Sequence, residues 1–139
     1  MAKAKNENDV QKKYLELQLF INQINQIQQQ FVLVQNKINE LNSLKENIGN
    51  FSKIKEGSES YVSLGLNVFT KAKLIEPKEF LISIGSDILI PKTIEETLKL
   101  IDFQIDEMHQ ITVELENQIN VFDLKAQELQ KDISESSNQ

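Results

Sequence analysis

Residues 57–74 read GSESYVSLGLNVFTKAKL, and residues 80–90 read FLISIGSDILI. Both alternate apolar with other side chains at period two, and they interrupt a chain otherwise built on sevens. Val62 and Leu64 share one face opposite Tyr61 and Ser63. After Gly65, the residues Leu66, Val68, Thr70, Ala72 and Leu74 alternate with Asn67, Phe69, Lys71 and Lys73. IEPKE (75–79) reads as a turn around Pro77; Phe80, Ile82 and Ile84 make a third strand, Gly85-Ser86 a tight turn, and Ile88 and Ile90 a fourth. The pattern predicts four short strands arranged as two hairpins over about 58–91.

Working outward, the flanks carry apolar residues at steps of three and four. In the first, Val10, Leu17, Ile24, Phe31 and Ile38 form one series, with Phe20, Ile27, Val34, Leu41 and Ile48 as the second. In the last, Ile94, Ile101, Met108, Leu115, Phe122 and Leu129 alternate with Leu98, Ile105, Thr112, Ile119, Ala126 and Ile133. Such a narrow seam is that of a coiled coil rather than the wider stripe of an ordinary globular helix. Lys13 and Lys45 occupy seam positions near the ends of the first arm, where their stems reach water. Thr93 and Glu96 form a capping box after Pro91 and mark the start of the second helix.

The expectation is one domain over 1–139, mostly α with a small β part: a coiled-coil helix over about 9–50, two hairpins, and a second helix over about 93–134. Each arm of about 40 residues should extend roughly 60 Å. Equal arms joined by a compact connection fold back as an antiparallel pair, bringing Val10 near Ile133 and Ile48 near Ile94. The polar ends MAKAKNEN and SESSNQ are expected to fray.

Composition excludes several function classes. The net charge is −6, every cation is lysine, and arginine is absent, a poor endowment for nucleic-acid binding. Without cysteine there is no disulfide, thiolate zinc site or thiol catalysis. The lysines of MAKAKNENDVQKK precede no apolar run, and FVLV (31–34) and FLISI (80–84) are far too short to span a bilayer, so a cytoplasmic protein away from membranes is expected. His109 reads as a surface histidine, and Asp102, Asp106 and Glu107 as a solvated helix face. No phosphate-loop motif and no nucleophile–base pair is present, so neither enzyme activity nor a cofactor is expected.

Two isolated hairpins are marginal in water, and their open edges accept strands from other chains. The β segment is therefore expected to assemble subunits through Val62, Leu64, Val68, Phe69, Phe80, Ile82, Ile84, Ile88 and Ile90. Apolar residues outside the seam near the chain termini, namely Tyr14, Leu15, Leu19, Ile21, Val121 and Leu124, form a candidate interaction surface. Leu33, Leu44 and Ile111 also lie outside the seam, away from those ends.

The order helix, two hairpins, helix resembles an alpha-class prefoldin subunit of the archaeal type. YVSLGLNVFTKAKL and EFLISIGSDILIPKTIEETLKLI are similar to that family's V-P-L-G hairpin, its V-x-x-G-x-G, and its E-K-T-x-E-E-A helix start. Ser63, Leu66-Asn67, Ser86-Asp87, Pro91 and Thr97 depart from the family pattern. The resemblance implies a hexamer of two alpha and four prefoldin beta subunits, with a β-barrel platform and coiled-coil tentacles. It further implies an ATP-independent holdase that captures non-native polypeptides at the tentacle tips and passes them to a group II chaperonin. A structural or tethering coiled coil, or a filament-forming relative, is the alternative.

Overall fold

The computed structural model describes the backbone of residues 2–137 and the side chains of residues 7–136. Helix α1 spans Ala2–Phe51, strands β1 to β4 span Glu59–Gly65, Val68–Lys73, Glu79–Gly85 and Ile88–Thr93, and helix α2 spans Ile94–Ser137. Both helices continue past the heptad repeat on which the expected limits of about 9 and 134 rested. Met1, Asn138 and Gln139, at the ends expected to fray, lie outside the described residues.

Residues fall into two compact units, 1–38 with 107–139, and 39–106. In the first, the seam is buried as its spacing requires. Leu17, Ala126 and Ile133 form a core cluster against which Phe20 and Leu129 pack. The rings of Phe20 and Phe122 lie 5.7 Å apart, and Lys125 Nζ sits 5.9 and 5.8 Å from their centroids, a cation over two aromatic faces. Phe20 meets Phe122 while Leu17 clusters with Ala126, so residue numbers rise along one helix as they fall along the other and the pair is antiparallel. Thr112, the one polar seam residue of α2, is buried, and its hydroxyl donates to the His109 carbonyl at 2.6 Å. A buried hydroxyl satisfied within its own helix needs no partner across the seam.

In the second unit, Leu41, Ile48, Ile101 and Ile105 continue the buried seam. Lys45 is exposed and pairs with Asp102 at 2.7 Å. The end of α1 tightens through bonds from Lys53 N–H to the Asn50 carbonyl and from Ile54 N–H to the Phe51 carbonyl. The capping box forms at α2: Glu96 N–H donates to Thr93 Oγ1, and the Thr93 hydroxyl meets Glu96 Oε1, both at 3.2 Å. Hydrogen bonding to Lys92, foremost, and then to Thr93 holds the Glu96 carboxyl below its ordinary value.

Two antiparallel hairpins form, β1 with β2 and β3 with β4. Each closes through a two-residue turn with both central residues at positive φ: Leu66 (48°) and Asn67 (63°), then Ser86 (49°) and Asp87 (61°). Turns of this hand match strand twist, but they favour Asn and Gly over Leu. Two expectations are corrected here. Leu66 is a turn residue, not part of the second strand, and the second turn is Ser86-Asp87 rather than Gly85-Ser86. The physical reason is a bulge in each hairpin, at Ser63/Gly65 and Ser83/Gly85, with Gly65 and Gly85 at φ 109°. The extra residue is invisible to a simple alternation count.

Candidate interaction surfaces

The first hairpin is exposed on both faces. Along β1 and β2 only Ser60 and Ala72 are even half-buried, so Val62, Leu64, Val68 and Phe69 all present apolar surface. In the second hairpin, Ile84 and Ile88 are exposed, whereas Phe80, Ile82 and Ile90 are half-buried. The difference arises because β3 packs on the helix ends. Phe80 meets Phe51 edge-on at 6.0 Å, and a groove of 390 Å³ runs between Leu44, Ile48 and Phe51 of α1, Phe80 to Ser83 of β3, and Thr97 of α2. Thr97 is buried there, its hydroxyl donating to the Thr93 carbonyl at 2.7 Å. Leu44, outside the heptad seam, thus lines this groove.

The expected assembly set left out Tyr61, Leu81 and Leu89, all exposed on the hairpins, and Leu66, which is 99% exposed at a turn. An apolar side chain on both sides of a strand is the signal that could have found them, since a hairpin backed by its own core has one polar face.

Tyr14, Leu15, Leu19 and Ile21 of α1 and Val121 and Leu124 of α2 are all exposed, in the first unit. They share that property with Val32, Leu33 and Val113 of the same unit. No group of three His, Cys, Asp or Glu side chains placed to hold a metal ion occurs among the described residues. No helix among them is long and apolar enough to cross a membrane.

Comparison with known proteins agrees with this architecture. The Prefoldin subunit family model matches residues 20–139. A prefoldin subunit alpha of Methanopyrus kandleri is 32% identical over 126 residues, covering 86% of this chain and 78% of that one. The prefoldin subunit alpha of Pyrococcus horikoshii is 25% identical, with 96% of each chain aligned. That of Thermofilum pendens is 26% identical over 84 residues, an alignment spanning 60% of this chain and 65% of the relative. Among solved structures, a filamentous PFD from Methanocaldococcus jannaschii superposes with a TM-score of 0.75 at 21% identity, covering 82% of this chain and 94% of the other. The antiparallel helices, the paired hairpins and these matches together place the chain in the prefoldin family, with its similarity to archaeal alpha subunits.

Proposed function

We propose that this chain is the alpha-class subunit of a cytoplasmic, ATP-independent holdase. Its hairpins join other prefoldin subunits, two alpha with four beta, in a β-barrel platform. Its helix ends capture non-native polypeptides and deliver them to a group II chaperonin. Prefoldins are non-enzymatic chaperones, and no phosphate-loop motif occurs in this sequence.

One observation carries the reading: the first hairpin exposes apolar side chains on both faces and the second exposes Leu81, Ile84, Ile88 and Leu89, a state that water penalises and a partner relieves. The exposed cluster Tyr14, Leu15, Leu19, Ile21, Val121 and Leu124 supports the client-binding part, since diverse clients call for loose apolar contact rather than a shaped pocket. A filament-forming assembly is the second reading, favoured by the likeness to a filamentous PFD.

The test is the mass of the purified chain in solution, alone and mixed with a beta-class prefoldin subunit. A discrete hexamer appearing only in the mixture is expected. Open-ended polymers favour the filament reading, and a monomer under both conditions refutes the assembly on which both depend.

A further inference from the structure

Charge is distributed unevenly over the first unit. From Glu107 to Ser137, α2 carries seven carboxylates against two lysines, Lys125 and Lys131. The α1 stretch over residues 17–36 offers no compensation, because it contains no charged side chain at all. Heptad spacing orders the excess: Glu114, Val121 and Glu128 are seven apart, on one line along the helix, and all three are exposed. Leu124, 61% exposed, lies one turn before Glu128 on the same face. Neither Glu114 nor Glu128 pairs with a lysine among the described residues. An apolar strip is thus set between two open carboxylates.

The same stretch of the arm already holds a cation. Lys125 Nζ rests 5.9 and 5.8 Å from the ring centroids of Phe20 and Phe122, so this aromatic pair accepts an ammonium group. We propose that the non-native segments taken by this arm are basic and amphipathic. Their apolar residues lie on Val121 and Leu124, and their lysines or arginines meet Glu114 and Glu128 and displace Lys125 from the aromatic pair. This inference rests on the client-binding reading above and names the class of client. Complementary charge draws such segments in and turns acidic ones away, while the apolar contacts stay loose. Because the carboxylates are exposed, their pull weakens with salt.

The test uses the full complex with a beta-class subunit and two labelled synthetic peptides of equal length. Both carry the same apolar residues, spaced by lysines in one and by glutamates in the other. Binding is read by fluorescence anisotropy at low salt and at about 0.5 M salt. With Glu114→Gln and Glu128→Gln together, the mass of the complex should hold and affinity for the basic peptide should fall about five-fold at low salt. At the higher salt the two complexes should bind it alike. Lys125→Gln frees the rings and removes a competing cation, so affinity for the basic peptide should rise about three-fold. Lys125→Arg, which keeps a cation over the rings, should give no such gain. The beta subunits are the same throughout, so these differences belong to this chain. Unchanged affinity for the basic peptide in the double variant, or an equal fall for both peptides, overturns the charge preference and leaves client capture standing. A Lys125→Gln complex that binds no tighter than wild type overturns the displacement of Lys125. A complex that binds neither peptide overturns client capture, and this inference with it.

Discussion

Replacing Ile38 by alanine tests the heptad register that underlies the fold. Ile38 is 2% exposed, the most completely buried large side chain among the described residues. Burying an isoleucine side chain contributes about 2–3 kcal/mol, and the cavity left by truncation raises the loss into the 2–5 kcal/mol range. Alanine's better helix propensity returns no more than about 0.7 kcal/mol. The net expectation is about 3 kcal/mol. Leu33, less than two turns away on the same helix, is 68% exposed. Its truncation removes only about a third of a leucine's burial, so Leu33→Ala should cost about 0.5 kcal/mol. The assay is urea unfolding followed by circular dichroism at one fixed subunit concentration, because assembly makes apparent stability concentration-dependent. With a slope of about 1.5 kcal/mol per molar urea, the midpoint should fall by about 2 M for Ile38→Ala and by about 0.3 M for Leu33→Ala. Equal losses for the two variants would refute the seam assignment.

Three further outcomes follow from the local geometry. Thr93→Ala removes the capping box of α2 and should cost about 1 kcal/mol, read from thermal unfolding; an unchanged midpoint contradicts the cap's role. Glu96 is held below its ordinary value by Lys92 and then Thr93, so its contribution is complete above the usual glutamate range and is lost as pH falls through the lowered folded value. Carboxyl NMR titration should accordingly find Glu96 ionised below the pH at which an ordinary glutamate protonates, and Thr93→Ala should move its midpoint upward. Leu66→Asn places a residue that tolerates positive φ where leucine now sits at 48°, and should stabilise the first hairpin by about 1 kcal/mol; faster amide exchange in β1 and β2 would argue against that.

The helices were almost wholly legible. Every apolar seam residue from Val10 to Ile133 is buried or half-buried, because helical spacing and a shared partner leave it nowhere else to point. The lysine exception, Lys45, is exposed and finds Asp102. The hairpins were legible in number and order but not in their turns. Leu66 looks like a strand residue by hydropathy, and only the bulge before it moves it into the turn. The groove was hidden for a different reason. Leu44 falls outside the seam and lines the groove beside Phe51 and β3, a tertiary arrangement that no local period records. As for the interaction surfaces, counting alternation left Tyr61, Leu81 and Leu89 out of the expected assembly set, although all three are exposed.

The central claim is that helix-end apolar residues hold unfolded chains while the hairpins assemble the subunits. Its most direct test is suppression of aggregation of a chemically denatured protein, without ATP, by the complex with a beta-class subunit. Wild type is compared with a variant carrying Leu15→Ser, Leu19→Ser and Leu124→Ser, three exposed positions whose loss should leave the fold intact. The account predicts that both complexes have the same mass and that only the wild type keeps the client soluble. A variant complex of unchanged mass that protects the client as well as wild type does would contradict it.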